Sequence, residues 1–464
     1  MKRKLSSSRR DFVKKLSLGT AAASFASLIP GSVSGTPPVF MKKTYPERKI
    51  SANDKIRLAT IGFGIQGIGD SLTATKVSGV EFVAACDLYQ GRLERAKELF
   101  GKDVFTTRDY REILSRKDID AVIIAAPDHW HKTIAIAALN AGKAVYLEKP
   151  MIKYIEEGHE LIDVWKKTAG ILQVGSQGMS SVGNAKAREM FRAGAIGDLV
   201  MVEIFNDRFS SEGAWQYPVP PDASPETIDF DTFLDSAPKV PYDPVRFFRW
   251  RNYQDYGTGV AGDLFVHSFS TLHFVTGSKG PVAARSTGGI RYWKDGRDVP
   301  DILMALYDFP ETSMHPAFNA ILRINFVAGN GGGSGFRLIG SEGVLNVGTN
   351  KVTVQNRKPG MKPSGYSLKA YTEKMQEAIR EEYDRKYGKT VPGIPEETVF
   401  QAPPGYLGAH YDHFHRFFET MRGNDFIVED PIYGLRAAGA ALLANLSYFG
   451  HKTVYWDAEK MKLT

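Results

Sequence analysis

Between Lys55 and Leu147, short apolar runs alternate with stretches whose apolar positions recur every three or four residues. That succession predicts strands separated by amphipathic helices. The strands fall at Lys55–Gly62, Val80–Asp87, Val104–Thr106, Ala121–Ala125 and Ala144–Leu147, with helices at Gly67–Val77, Arg92–Phe100, Tyr110–Ser115 and Trp130–Ala141. Strand–helix alternation of this kind predicts a parallel, doubly wound sheet. Past about Gly175 the texture changes. Leu199–Phe205 reads as a strand, and a long Pro-, Asp- and aromatic-rich stretch follows to Tyr256. Strand-like runs then return at Ala283–Tyr292, Ile302–Phe309, Ala320–Val327, Gly335–Gly340 and Val344–Val347, a spacing that suits a mostly antiparallel sheet. Helical patterns cover Leu368–Tyr387, His410–Met421 and Tyr433–Phe449.

The division that follows is a leader at 1–34, a linker at 35–54, a nucleotide-binding domain at 55–175 and a second α/β domain at 176–464 with an insertion at 206–256. With 464 residues, two or more compact units are expected. The net charge of +7 is concentrated at the start, where Lys2, Arg3, Lys4, Arg9, Arg10, Lys14 and Lys15 face only Asp11. That leaves +1 for the rest of the chain, which removes the main argument for a nucleic-acid partner. Ser8-Arg9-Arg10-Asp11-Phe12-Val13-Lys14, followed by the apolar stretch Leu16–Ile29, fits a twin-arginine signal with cleavage near Ser34. The expectation is an exported, periplasmic protein without a membrane span. Cys86, the only cysteine, excludes an intramolecular disulfide and reads as a packing residue.

Gly62-Phe63-Gly64-Ile65-Gln66-Gly67 has G-x-G-x-x-G spacing between a predicted strand and a predicted helix. Glycines there permit a tight turn and close approach of backbone to a pyrophosphate, and the helix N-terminus offers unpaired N–H groups. Gly62, Gly64, Ile65, Gln66 and Gly67 are therefore candidate cofactor contacts. The second strand ends in Asp87, twenty residues past Gly67, where a carboxylate can receive the adenosine ribose hydroxyls of NAD. Its charge opposes the 2′-phosphate of NADP, although Arg92 keeps NADP open. The plainer alternative is a glycine turn in an unrelated α/β sheet.

Ala125-Ala126-Pro127-Asp128-His129-Trp130-His131 closes one strand and Glu148-Lys149-Pro150 the next, at carboxyl ends where such sheets bind ligands. With the glycine turn and Ala141-Gly142-Lys143, these segments resemble the Gfo/Idh/MocA oxidoreductase family over residues 55 to about 200. The resemblance implies a Rossmann domain followed by a broad-sheet α/β domain that holds a carbohydrate against the nicotinamide. It places Pro127, His131, Glu148 and Lys149 at the cofactor, and it implies a homodimer or tetramer. Through the D-x-x-x-H segment ending Gly262-Asp263-Leu264-Phe265-Val266-His267, it also implies a catalytic set of Lys149, Asp263 and His267. His267 would take a hydroxyl proton, Lys149 would hold the oxygen, and Asp263 would orient both. Read from the residues alone, Asp263 also suits a helix cap and His267 a core position on a helix from Leu264 to Phe274. The chain departs from the family pattern in the insertion and at Ser270, where an aspartate is common.

Trp250, Arg251 and Tyr256, with Trp215 and Tyr217, could clamp a sugar or simply pack the insertion down. His410 is a further substrate candidate. His410, His413 and His415 do not have the spacing of a known zinc motif, so no metal is expected. The leading expectation is an exported NAD-dependent oxidoreductase acting on a secondary hydroxyl of a sugar, polyol or glycoside with a retained cofactor. A redox-neutral glycosidase or lyase working through a transient keto-sugar is the alternative. A non-catalytic sugar-binding protein is a third reading.

Overall fold

The computed structural model describes residues 38–45, 50–51, 54–329, 332–356, 365–387 and 397–464. The leader therefore lies outside the described residues. The first sheet has six strands in the order Phe105–Thr107, Val80–Cys86, Ile56–Ile61, Ala121–Ile124, Ala144–Glu148 and Leu172–Gly175. All five pairings are parallel. Order reverses beside Ile56–Ile61, the strand that leads into the glycine turn, and this reversal opens the crevice where doubly wound sheets bind ligands. Strand Ala121–Ile124 is apolar throughout because helices cover both faces. Ala121, Val122, Ile123 and Ile124 are all fully buried.

The second sheet has eleven strands, and Leu199–Asp207 lies near its middle, parallel to Phe318–Asn325 and antiparallel to Gly333–Gly340. One face is packed and the other is open, which the period of two records plainly. In Ile302–Phe309, Leu303, Ala305, Tyr307 and Phe309 point inward, whereas Met304 and Leu306 are 41% and 58% exposed. On the inner face lie helices Val266–Thr276 and Pro431–Gly450. The latter is rich in alanine so that it can fit closely. At Gly439 an added Cβ would stand 2.9 Å from the Trp456 ring.

Several elements differ from the sequence-based expectation. The helix after the glycine turn begins at Ile65, and Ile155–Thr168, Leu172–Gly175 and Val182–Arg192 add a helix, a strand and a helix across the 175 boundary. The charged Leu368–Tyr387 stretch is two helices, Gly365–Leu368 and Glu373–Tyr387. Most informative is Ala409–Met421, which packs against the first sheet although it lies far along the chain. Phe414 stacks on Tyr146 with ring centroids 4.2 Å apart, and Phe417 and Phe418 join Leu58, Ile123 and Tyr146 in one apolar cluster. The C-terminal segment thus completes the nucleotide-binding layer.

Candidate functional site

At the switch point, Gly62 has φ +88°, and a Cβ there would lie 2.5 Å from backbone atoms of Ala125 and Ala126. Only glycine fits both the left-handed conformation and the neighbouring strand. Gly67 is tighter still, since its Cβ would meet the Gly62 carbonyl oxygen at 2.1 Å. Helix Ile65–Ala74 starts at Gly64 with no side-chain cap, so its first N–H groups and its positive dipole end face the crevice. A cavity of about 340 Å³ opens there, lined by Gly62, Gly64, Ile65, Gln66, Asp87, Arg92 and Pro127 among others. Asp87 is buried, accepts the Tyr89 N–H at 3.0 Å and pairs with Arg92 at 3.3 Å. This open helix end, glycine cradle and strand-end carboxylate fit the pyrophosphate and adenosine ribose of NAD.

The insertion forms the opposite wall. Asp229, Thr232, Phe233, Phe247, Phe248, Trp250 and Arg251 line the same cavity. The wall is tied to the first domain by backbone bonds from Gln90 N–H to Thr227 O and from Asp229 N–H to Leu88 O, both 2.9 Å. Tyr89 Oη donates to Asp222 at 2.6 Å, and Trp130 Nε1 donates to Phe233 O at 3.2 Å. Arg92 lies over the Phe247 and Phe248 rings at 5.5 and 5.3 Å.

Next to Arg251, which lines the cavity, Lys149 Nζ donates to both the backbone carbonyl and Oδ1 of Asp263, each at 2.9 Å, although neither residue lines the cavity itself. Arg251 Nε is 3.4 Å from the same Oδ1. Asp263 sits in a π-helical turn, Ala261–Phe265, that runs directly into helix Val266–Thr276. Wide turns of this kind often mark functional positions. Gly262 permits it, since a Cβ there would strike Thr258 at 2.2 Å. Thr258 in turn donates its N–H and hydroxyl to the buried carboxylate of Asp128, at 2.9 and 2.7 Å. The turn after strand Ala121–Ile124 is thereby locked to the segment that carries Asp263.

Burial alone would raise the Asp263 carboxyl, but the Lys149 ammonium and then the Arg251 guanidinium hold it well below the usual carboxylate range. His267, four residues on, is half-buried. Burial, then Lys149, with Arg208 adding to it, pushes the imidazole down to about 3, against the opposing charge of Asp263. The site thus presents a neutral base, a cation and a fixed carboxylate together.

Other sequence candidates fall elsewhere. His131 is buried, with Nδ1 2.7 Å from Pro150 O and Nε2 2.8 Å from Ala126 O, so both ring nitrogens are engaged by backbone and it does not line the cavity. Its expected cofactor contact is replaced by a strut between two strand ends. Tyr256 is fully buried in the insertion's own apolar cluster and cannot reach a sugar. Trp215 is likewise buried, edge-on to Phe326 at 5.1 Å. Trp250, Arg251 and Tyr217 do line the cavity.

Glu148 lies under the turn as part of a buried acid pair. Its carboxyl accepts from Gln177 and from the Lys149 N–H, while Asp70 accepts from Gln66 at 3.0 Å and meets His410 Nε2 at 2.7 Å. Burial raises Asp70 to about 8, and burial with the neighbouring Asp70 charge raises Glu148 well above the carboxylate range. His410 therefore serves this pair. His413 bonds Ser180 Oγ and Val174 O, both at 2.8 Å, so it points away from His410's partner.

Asp70 and Glu429 had no sequence signal that separated them from surface acids, and Asp128 stood in the strand-end motif without a role of its own. Glu429 is completely buried, accepts from the Ser270 hydroxyl at 3.2 Å and is raised by burial to about 8. A carboxyl from a distant segment thus stands beside the position where the family often has an aspartate.

Residues 56–176 match the model of an oxidoreductase family with an NAD-binding Rossmann fold. A glycosyl hydrolase family 109 protein of Shewanella sp. (strain ANA-3) is 32% identical over 205 residues, 41% of this chain and 44% of that protein. Inositol 2-dehydrogenase of Salmonella typhimurium is 34% identical over 150 residues, 31% of this chain and 45% of that one. The chain thus matches less than half the length of these curated relatives. In fold, scyllo-inositol dehydrogenase from Lactobacillus casei covers 86% of this chain and 98% of its own at TM-score 0.59 and 19% identity. A levoglucosan dehydrogenase bound to NADH and L-sorbose covers the same shares at TM-score 0.60 and 19% identity.

Proposed function

Because its nucleotide-binding domain belongs to the Gfo/Idh/MocA family of oxidoreductases, we propose that this protein oxidises a secondary hydroxyl of a sugar, polyol or glycoside with NAD. The observation that carries the reading is the Lys149–Asp263 pair, joined to the dinucleotide cavity through Arg251, with His267 one helical turn away. NAD, when bound, supplies the hydride acceptor. The chain's own residues do the rest. His267, neutral across the physiological range, takes the hydroxyl proton. Lys149 holds the substrate oxygen and favours negative charge on it. Asp263, ionised and anchored, fixes the direction of the Lys149 ammonium.

Retention of the cofactor and export belong to the same proposal. The insertion's ties across Tyr89, Gln90 and Trp130 support slow release, because they must open before the adenosine end is exposed. The twin-arginine pattern supports export of a folded, loaded protein, for which the cofactor must be regenerated in place. A redox-neutral glycosidase, in which the hydride returns after elimination from a keto-sugar, is the second reading, and the similarity to glycosyl hydrolase family 109 proteins favours it.

Purified protein, denatured without prior addition of nucleotide, should release NAD. Incubating it with a glycoside panel then separates the readings, since a keto-sugar without cleavage indicates oxidation and a released aglycone indicates elimination. Absence of both products across sugars, polyols and glycosides would remove both.

A further inference from the structure

Beneath the glycine turn, Asp70 and Glu148 meet with an oxygen that no donor reaches, and we propose that the two carboxyls share one proton that keeps the dinucleotide in place, so that its loss speeds cofactor release. This rests on the NAD site alone and holds for any substrate.

The pair is joined to the cradle by hydrogen bonds. Gln66, which lines the cavity at the start of helix Ile65–Ala74, uses one nitrogen, Nε2, to donate to Asp70 Oδ1 at 3.0 Å and to Glu148 Oε1 at 3.4 Å. Glu148 Oε1 also accepts from Gln177, and its Oε2 accepts the Lys149 N–H at 3.2 Å. Asp70 Oδ1 meets His410 Nε2 at 2.7 Å. Asp70 Oδ2, in contrast, is buried and has no hydrogen-bond partner among the described residues. Asp70 and Glu148 are both buried, so two negative charges bridged by one amide repel each other with little screening. A proton on the pair removes one of those charges and the need of a buried, unmatched carboxylate oxygen for a donor.

Charged and titratable groups face the pair from three elements. Lys149, after strand Ala144–Glu148, attracts both carboxylates, but its ammonium is bound to Asp263. Tyr146, on that strand, lies near both acids, and burial keeps its phenol protonated. His410, on helix Ala409–Met421, is held neutral by burial against the charge of Glu148, and Lys76 at the end of the cradle helix acts in the same sense as burial. His413 on the same helix is turned to Ser180 and Val174 instead. Burial raises Asp70 to about 8, so the proton stays at neutral pH and leaves just above it. In that step Asp70 passes the proton to solvent by way of His410, whose side chain is 36% exposed, and the pair goes from one negative charge to two. The added charge stands behind the helix end that receives the anionic pyrophosphate, and it opposes the attraction of that end for the cofactor.

The test follows cofactor release and needs no substrate. Protein saturated with NAD and freed of the excess is transferred to buffers from about pH 6 to about pH 9.5, and the nucleotide still bound is measured over time. The release rate should be level up to about pH 7 and then rise about 10- to 30-fold, the effect of one added charge near an anion at an effective dielectric of about 20. Asp70→Asn has the shape of the protonated acid and cannot ionise, so it should release NAD at the slow rate throughout. His410→Leu removes a donor to ionised Asp70, so the midpoint of the rise should move up by about one pH unit. That variant decides the matter if Asp70→Asn does not fold. A wild-type rate that is flat with pH, a rise that persists in Asp70→Asn, or a His410→Leu midpoint that stays or moves down would overturn the proposal. None of these results bears on the substrate, so the oxidoreductase reading stands or falls separately, on the products formed from sugars and glycosides.

Discussion

Replacing Lys149 with Met separates the catalytic role of its ammonium from its structural one. In the native protein, Nζ makes two 2.9 Å bonds to Asp263, and the two side chains are only 11% and 9% exposed. Breaking a buried pair from one side typically costs about 3–5 kcal/mol, because the remaining charge is left without compensation. Here Arg251 still reaches Oδ1 at 3.4 Å, so the expected loss is smaller, about 2–3 kcal/mol. The sign with pH follows from the depressed Asp263 carboxyl. Its contribution is present above the unfolded carboxylate value of about 3.9 and disappears as pH falls through the lower folded value. The gap between wild type and Lys149→Met in denaturant titrations should therefore be widest near neutrality and narrow below about pH 4. Turnover should fall by about 10²- to 10³-fold, the usual effect of removing a donor to a developing oxyanion. Lys149→Met with Asp263→Asn should recover most of the stability but not the turnover. Recovery of turnover in the double variant would mean that Lys149 merely neutralises Asp263, and the assigned role would be wrong.

The low-lying imidazole of His267, at about 3, predicts that kcat/KM stays flat on the acid side from about pH 7.5 to about pH 5; an acid limb with an apparent pKa between about 6 and 7 would contradict it. Glu429, raised to about 8 by burial, keeps its proton in the folded state, so its stabilising contribution is full below about pH 4 and is lost as pH rises toward 8. Glu429→Gln should consequently gain on wild type as pH rises from about 5 to 8, by on the order of 2 kcal/mol in thermal melts, and a pH-independent difference would refute the assignment. Gly62→Ala forces a left-handed alanine into a 2.5 Å contact with the next strand, so the purified variant should contain no nucleotide and lose about 2 kcal/mol or more of stability. Bound NAD at wild-type occupancy in that variant would exclude Gly62 from the cradle.

The nucleotide-binding half was legible because its signals are local. A glycine turn flanked by a strand and a helix, and Asp87 at the end of the next strand, lie within one short stretch of chain, and each carries its own steric or electrostatic reason. The spacing of the strand-like runs between Ala283 and Val347 suggested the mostly antiparallel second sheet for the same reason. The Lys149–Asp263 pairing, by contrast, joins residues 114 apart in sequence, and only the family resemblance suggested it. The aromatic residues of the insertion carried no such signal. Trp215 and Tyr256 pack inward while Tyr217 and Trp250 face the cavity, and composition does not distinguish them.

By itself, then, the sequence determined where backbone must turn tightly, that a parallel sheet is followed by a mostly antiparallel one, and which residue types could hold a dinucleotide. Tertiary structure alone decided that the 206–256 insertion forms the opposite wall of the cavity and reaches Asp263 through Arg251, that His131 braces two strand ends, and that Ala409–Met421 closes the first sheet. It also decided which acids are buried. Asp70 and Glu429 look like any surface carboxylate along the chain, and for both, as for Asp128, the largest cause of the altered proton affinity is burial, which segments distant in sequence provide. Conformational preference belongs to each residue and its immediate neighbours, whereas dehydration and charge pairing arise only when distant segments meet.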